Sequence, residues 1–490
     1  MNIFKNFFPV FLKDDGVSTP LGAEFEYKIQ QIRRLYELYY MGGNIGSRTD
    51  ADVESVPDTI CRSKRIKRLI DKQADFMVGN TPGLKVSCLD AEVGCENAGD
   101  MQAYLDAVLK ANNFSNKIIR GARDCFIGGR VFLKVNVTPE KINLAFIPAD
   151  NFIFETKPDD VDVLESVLIF YCTREREDRH EQRWWKQRYF LEDGKCYVSE
   201  GLYDGYANEI EGYTVLHQYT GLSSIPGVVI LNEGLSGDTE GESDVLLIAD
   251  EDSYYNELRS RNGDTLKANM NPLKYVIGAN RNTFKGLNTS PGAVNDIQPD
   301  PTLNGTLPSV GQLENGFGFA SAYAQTLDNV SAEMMDNLGI PDVSLDKLSG
   351  VITSGKGLKA LYWSLICRCN GKWTTWKPAL EQMARLIIDA AEVFPALKSI
   401  YGNFKKEVYV VDVEPSYALP DDTEIEREND LKEVGTARSV KSYLMKWGGT
   451  DHNGLTDEQA DKEIEQMVRE KRMMEESYEG NLSDLDDLED

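Results

Sequence analysis

The sequence predicts an α+β protein, and three features carry that prediction. Between about residues 82 and 235, short β-rich runs recur: GLKVSCL, RVFLKVNV, INLAFIPADNFIFE, SVLIFYCTRE, WWKQRYFL, KCYVS and YTVLHQYT. Several are joined by short turns containing Gly, Asp or Asn, such as EDGK at 192–195, which marks a mostly antiparallel sheet. Outside that stretch apolar residues recur at helical spacing, notably over 243–270, 322–339 and 357–394. A length of 490 residues allows about three domains.

The first fifteen residues, MNIFKNFFPVFLKDD, hold a short apolar patch broken by Pro9 and followed by acids. They lack a small-residue cleavage site, so they read as an arm packing its aromatics on a neighbouring surface, not as a signal peptide. EFEYKIQQIRRLYELYY then places Phe25, Ile29, Ile32, Leu35 and Leu38 near one helix face. Segment 62–72 packs six basic residues around one acid. It reads as a solvated helix face with Ile66, Leu69 and Ile70 buried beneath it; the alternative is a basic patch for an acidic neighbouring subunit. MQAYLDAVLKANNFSNKIIRGARDCFIGG is helical, and Trp184 and Trp185 read as core or interface anchors.

A helix over 243–270 is expected to start at Ser243 as N-cap, with a narrow apolar stripe at Leu247, Tyr254 or Tyr255, Leu258 and Leu266. It would span about 40 Å at about 1.5 Å per residue, and Asn271-Pro272 ends it. The segment 279–319 is rich in Gly, Asn, Pro and Thr. Lying between two helices, it reads as a small protruding module. The next helix, 322–339, has Leu327, Val330, Met334 and Leu338 on one face. Gly371 and Pro378 interrupt the helical pattern 357–394, where a kink is expected. EVYVVDVEP is a return strand, and a helical C-terminal region follows. The last forty residues carry 15 acids against four basic residues, and the end reads as a disordered acidic tail.

The net charge is −27. Gripping nucleic acid requires clustered Lys and Arg that displace counterions, so this balance opposes it. It is compatible with a surface past which DNA slides without sticking. The eight cysteines show no CxxC spacing and the histidines number three, leaving a zinc site almost no ligands and favouring reduced thiols. No run of 18 apolar residues exists to span a membrane.

One near-miss motif needs weighing. Gly350, Gly355 and Lys356 satisfy the first seven positions of G-x-x-x-x-G-K-[ST], but Gly357 stands where the magnesium-binding hydroxyl belongs. The preceding VSLDKLS is too polar for a buried strand, and no second carboxylate motif follows. These glycines therefore read as loop freedom before a helix, and the chain as no enzyme and without cofactor.

The order of motifs resembles the portal proteins of tailed bacteriophages, of the type common in long-tailed phages of Gram-positive bacteria. YELYYMGG (36–43) looks like the family's YY-x-G turn, and IDKQADFMVGNTPGLKVS (70–87) like its helix entering a G-x-P strand. IPADNF (147–152) resembles a family strand-end turn. IPGVVILNE (225–233) and SDVLLIADEDSYYNELRSRNGD (243–264) are similar to the strand and stem helix. GIPD (339–342), then SG and GLKALYW (357–363), match the passage through the channel loop.

The resemblance implies a portal architecture with these parts: arm 1–20, α+β wing 21–242, stem helix 243–270, clip 271–320 and second stem helix 321–341. A channel loop 342–353, a kinked helix and wing return strand 354–425, a helical crown 426–475 and a tail 476–490 complete it. It implies a ring of about twelve subunits (thirteen when isolated) at one capsid vertex of the virion, assembled in the host cytoplasm. Double-stranded DNA would pass along the axis during packaging and ejection. Implied partners are the terminase large subunit, major capsid protein, scaffolding protein and head-completion adaptor, with no membrane. Ser344, Asp346, Lys347, Ser349 and Gly350 would form the DNA-channel loop; Asn288, Asp296, Asp300 and Asn304 of the clip would face motor or adaptor. The alternatives are an oligomeric adaptor or scaffold of the head-tail connector without a DNA channel, and a nucleotide-driven translocase.

Overall fold

The computed structural model describes residues 13–14, 17–18, 23–43, 59–88, 98–175, 178–210, 212, 214–235, 240–270, 273–279, 297, 299–302, 308–313, 316–342, 359–417, 423–435, 437–448 and 454–486. In chain order the elements begin with β1 (Lys13–Asp14), β2 (Val17–Ser18), α1 (Ala23–Met41), α2 (Arg65–Val78), β3 (Gly83–Cys88), α3 (Ala98–Ala111) and α4 (Phe114–Gly128). The β-rich stretch supplies β4 (Arg130–Val137), β5 (Ile142–Pro148), β6 (Phe152–Lys157), β7 (Asp160–Arg174), β8 (Arg183–Glu192), β9 (Lys195–Tyr203), β10 (Val215–Tyr219) and β11 (Gly227–Leu231). Then come α5 (Ala249–Met270), β12 (Leu273–Ile277), β13 (Ser309–Leu313), α6 (Ala320–Asn337), α7 (Trp363–Val393), α8 (Ala396–Tyr401) and β14 (Tyr409–Glu414). A second unit contains α9 (Thr423–Glu433), α10 (Val440–Trp447) and α11 (Asp457–Asp486).

The fold is α+β, and its strands pair antiparallel. One sheet runs β10-β9-β8-β7-β6, another β11-β4-β5, and β3 pairs with the distant β14. Strand β7 explains the unbroken apolar run VLIF. Val167 and Ile169 face one way, into a cluster with Phe132, Ile147, Phe152 and Tyr189. Leu168 and Phe170 face the other way, against Ile29 and Ile32 of α1. A strand covered on both faces has no polar side to show. The EDGK turn joins β8 to β9 with Asp193 at φ 49° and Gly194 at φ 73°, the left-handed pair a two-residue hairpin needs.

The α1 face matches expectation: Ile29 and Ile32 are buried, and Phe25, Leu35 and Leu38 half-buried. In α2, Ile66 and Ile70 are fully buried and Leu69 half-buried, while Arg68 and Lys72, with Arg62 and Lys64 just before the helix, are exposed. The helical stretch 101–129 divides at Asn113, which is left-handed at φ 49°. Beside it, buried Asn112 donates to the carbonyls of Val108 (2.9 Å) and Ile142 (3.0 Å) and accepts from Leu144 N (2.8 Å). Its amide thus pins α3 to β5. Trp184 and Trp185 pack on opposite clusters, their indole N–H groups donating to Gln182 and Glu200.

Helix α7 runs from Trp363 to Val393 with Gly371 and Pro378 inside it. Pro378 deprives the turn of one N–H, and nearby hydroxyls partner backbone carbonyls: Thr374 donates to Gly371 O (2.6 Å) and Thr375 to Lys372 O (2.9 Å). Helix α11 continues to Asp486, well into the segment expected to be unstructured. The strong helix formers of 467–475, MVREKRMME, precede ESYEGNLSDLD, and adding residues to an existing helix costs far less than starting one.

The seam where α1 meets α4 holds acidic groups. Tyr36 donates to Asp124 Oδ1 (3.2 Å), and Arg33 lies 3.8 Å from Asp150. Burial, with Asp150 nearby, lifts the Asp124 carboxyl to about 6; burial also raises Asp150. A carboxyl raised in the folded state stabilises fully below its unfolded pKa, and loses that contribution as pH climbs through about 6. The wild type should therefore lose on the order of 1–2 kcal/mol relative to Asp124→Asn between pH 4.5 and 7.5. Melting temperatures of the two proteins across that range check it; parallel curves contradict it.

Candidate functional site: the paired helices and the charge cluster at their base

Helix α5 buries only part of the apolar stripe its sequence suggested: Tyr255 is buried and Leu258 half-buried, while Leu247 is exposed. Tyr254 and Leu266 are exposed, and the buried positions are Asp252, Tyr255, Asn256 and Ser260. Asp252, Asn256, Ser260 and Asp264 recur every fourth residue and so share one face. Along that face lies the extended segment 59–63. Thr59 N donates to Asp264 Oδ1 (2.8 Å), Cys61 N to Ser260 Oγ (3.0 Å) and Ser63 N to Asn256 Oδ1 (2.8 Å). Asp252 completes the ladder, accepting from Gly43 N (2.7 Å), Ser63 Oγ (3.1 Å) and Asn256 Nδ2 (2.9 Å). The geometry matches because two extended residues advance about 6.6 Å and four helical residues about 6.0 Å. The signal was legible as D-x-x-x-N-x-x-x-S-x-x-x-D, but a search for apolar periodicity passes over it.

The α-helix also begins later than Ser243. A single 3-10 turn, Leu246–Ile248, precedes Ala249. Ser243 Oγ donates to Ile127 O (2.5 Å), and Asp244 N donates to Phe126 O (2.9 Å). Both carbonyls belong to the last turn of α4, which has no partners of its own. Ser243 Oγ also accepts from Val245 N (3.2 Å), as expected of a helix N-cap, so this one residue caps the end of α4 and the start of the run into α5.

Helix α6 lies against α5. Arg65 of α2 joins them: its guanidinium sits 4.0 Å over the Tyr255 ring, donates to Tyr255 OH (2.8 Å) and bonds Ser331 Oγ. At the other end Asn337 Nδ2 donates to Leu247 O (3.1 Å). Lys67 is likewise committed within the chain, to Tyr39 OH (2.7 Å) and Asp71 (3.0 Å).

Where these helices start and stop, a charge cluster is buried. Lys372 of α7 is 0% exposed, with Nζ 2.9 and 3.0 Å from the two oxygens of Asp244, itself 1% exposed. Nζ also donates to Asn232 Oδ1 (2.6 Å) and stands 4.4 Å over the Phe126 ring. Arg368, one turn earlier, reaches Asp244 (3.0 Å), Glu233 (3.3 Å) and the α6 carbonyl of Asn337 (3.4 Å). Two cations meet two carboxylates, so the cluster carries no net charge.

From this base the chain leaves toward 343–358. Gly339 sits at φ 64°, and a side chain there would lie 3.0 Å from Ser364 Oγ, so the outgoing and returning strands of chain pass in contact. Phe76 of α2 is stacked between Tyr362 (5.5 Å) and Tyr417 (5.3 Å). Ser344, Asp346, Lys347, Ser349 and Gly350 lie outside the described residues, as do Gly355, Lys356 and Gly357. So do Asn288, Asp296 and Asn304. Asp300 is described: its carboxylate accepts from Thr302 N (2.9 Å) and Oγ1 (2.6 Å), which hold it below the usual carboxylate range. That carboxylate caps a turn after β12. Among the described residues no group of His, Cys, Asp or Glu is arranged to hold a metal ion, and no helix is long and apolar enough to cross a membrane.

Removing the cation alone should be costly. Lys372→Met leaves Asp244 and Glu233 with one partner fewer in a closed site, and about 3–5 kcal/mol of stability should be lost. Lys372→Met combined with Asp244→Asn should lose less than the single variant; chemical denaturation of both distinguishes this from simple loss of packing.

Comparison with known proteins gives three findings. Residues 20–207 match the family described as "Phage portal protein, SPP1 Gp6-like". No curated protein matches the chain. Among solved structures, the chain is similar to one in the neck of an empty gene transfer agent particle computed with C6 symmetry. Identity is 12%, the match covers 77% of this chain and 88% of that one, and the TM-score is 0.44. It is also similar to one in the virion of a native gene transfer agent particle, at 11% identity, 77% and 87% coverage and a TM-score of 0.41. Residues 20–207 thus carry the sequence pattern of the phage portal protein family, SPP1 Gp6-like, the family that the order of motifs indicated.

Proposed function

We propose that the chain is a portal subunit, about twelve copies of which form a ring around an axial channel for double-stranded DNA. The carrying observation is the portal-family match over 20–207, with further portal-like motifs continuing in order to residue 363. The ring would sit at one vertex of the virion, pass DNA inward during packaging and outward during ejection, and dock the terminase motor and later the head-completion adaptor. Capsid and scaffolding proteins would surround it during assembly in the host cytoplasm. The domain limits drawn above, and the assignment of Asn288, Asp296, Asp300 and Asn304 to the motor-facing clip, belong to the same proposal.

The physics suits a conduit. A chain of net charge −27 offers phosphate few attractive registers, so DNA meets a nearly uniform repulsion as it slides. The chain hydrolyses nothing in this reading, since Gly357 supplies no magnesium ligand. In the proposed channel loop, Lys347 would be the strong phosphate partner, and Gly350 would supply hinge freedom.

End-on negative-stain images of the purified protein should show a ring of about twelve or thirteen subunits with an open centre. A monodisperse monomer or dimer at micromolar concentration would count against a portal. Lys347→Asp should slow packaging by at least about tenfold while rings still form, because it adds repulsion without disturbing a core. If that variant loses rings, the loop holds the assembly together and does not line a channel.

A further inference from the structure

Between the two larger sheets lies a cleft of about 380 Å³. Phe154 of β6, Val163 and Leu164 of β7, Leu191 of β8, and Val229 and Leu231 of β11 form half of its lining; Thr156, Ser224 and Gln382 add uncharged polar groups, and no charged side chain lines it. The apolar side chains named are half-buried: several pack against the Phe132–Phe152 core, yet border open space. Strand β6 ends one sheet and β11 ends the other, so each has one edge without a strand partner among the described residues. A cavity of roughly 150 Å³ with aliphatic walls holds one benzene, so this cleft has room for two phenyl rings.

The lining calls for an uncharged occupant, with aliphatic wall enough to hold aromatic rings. Outside the described residues, the longer segments 44–58, 89–97, 280–296 and 343–358 each carry two or more charged side chains. Residues 1–12 differ. Ile3, Phe4, Phe7, Phe8, Val10 and Phe11 stand there with Lys5 as the one charged side chain. Pro9 pushes Phe8 toward extended backbone, the form that a sheet edge accepts. The β1–β2 pairing turns the chain back between Lys13 and Ser18, so Phe11 can lie up to about 28 Å from Ala23, and the arm must pass around a sheet edge because α1 packs on the face opposite the cleft. Covalent attachment also gives such a segment a millimolar effective concentration, so modest affinity fills the cleft.

We propose that the chain's own N-terminal segment, Ile3–Phe11, seats its aromatic side chains in the cleft between β6 and β11. The test uses the full chain. A benzophenone photo-cross-linker in place of Phe7 should join, within one chain, peptides containing Phe154, Leu164, Leu191 or Val229. Removing residues 1–12 should speed hydrogen exchange of β6 and β11 by about tenfold or more while β8 and β9 stay protected. A synthetic peptide of residues 1–15 should restore the protection, and Phe7→Asp with Phe8→Asp in that peptide should abolish the rescue. Val229→Arg should block the cross-link; because it could disturb the fold, the paired substitutions in the arm carry the decision if it does. Cross-links elsewhere, cross-links only between chains, or unchanged exchange after truncation would each overturn the proposal.

Discussion

Groups from separate parts of the chain converge on one buried ammonium group. Lys372 has no contact with solvent, and its charge is tolerable only because Asp244 and Asn232 reach it, with Arg368 and Glu233 balancing the remainder. Those partners come from the end of β11, the run into α5 and the middle of α7, and Arg368 extends the cluster to the last turn of α6. An ion without its partner in such a place costs several kcal/mol, more than most single contacts return. The segments must therefore arrive together and in register. A shift of one residue in any of them would leave a charge unanswered, whereas an apolar junction would accept the slip at a modest loss. The cluster fixes where the paired helices begin relative to the sheets, which a channel built from repeated copies would require of each copy.

The legible and the illegible parts of the fold divide along physical lines. Local patterns were readable. The EDGK hairpin depends on two adjacent residues, the α1 face on spacing within five turns, and the VLIF run of β7 on burial that leaves no room for alternation. The same holds for Ile66 and Ile70 beneath a basic surface. Long-range polar pairing was not readable. Lys372 stands in RCNGKWTTW, where nothing nearby distinguishes it from a solvent-facing lysine, and its partner Asp244 is 128 residues away. Ser243 was legible as a helix N-cap from its own neighbourhood, but its second service, to the end of α4 beside it, was not. The end of the chain misled in the opposite sense, since its own composition is poor in helix formers and the helix enters it from the run before it.

Of the candidate site, the family and the order of its motifs were legible, because turn and strand-end signatures survive as short strings. The residues that fasten α5 in place were missed. Its stripe is polar, and a reading tuned to apolar burial assigns polar residues to solvent by default. Of the residues chosen for their apolar character, Tyr255 is buried, whereas Leu247 and Leu266 face outward. For a helix of this composition, burial follows hydrogen-bonding capacity as much as hydrophobicity.

The ladder beneath α5 has a consequence for how this region tolerates change. Asp264, Ser260 and Asn256 hold the main-chain N–H groups of Thr59, Cys61 and Ser63, not their side chains. Any residue except proline supplies that N–H, so the letters at positions 59 and 61 can drift with little penalty from the ladder. Their number cannot. Inserting or deleting one residue between 59 and 63 would turn the donors away from the helix and break the alternation along the whole segment. Among relatives, this stretch is expected to be variable in identity and constant in length, and comparisons that score identity alone would undervalue it.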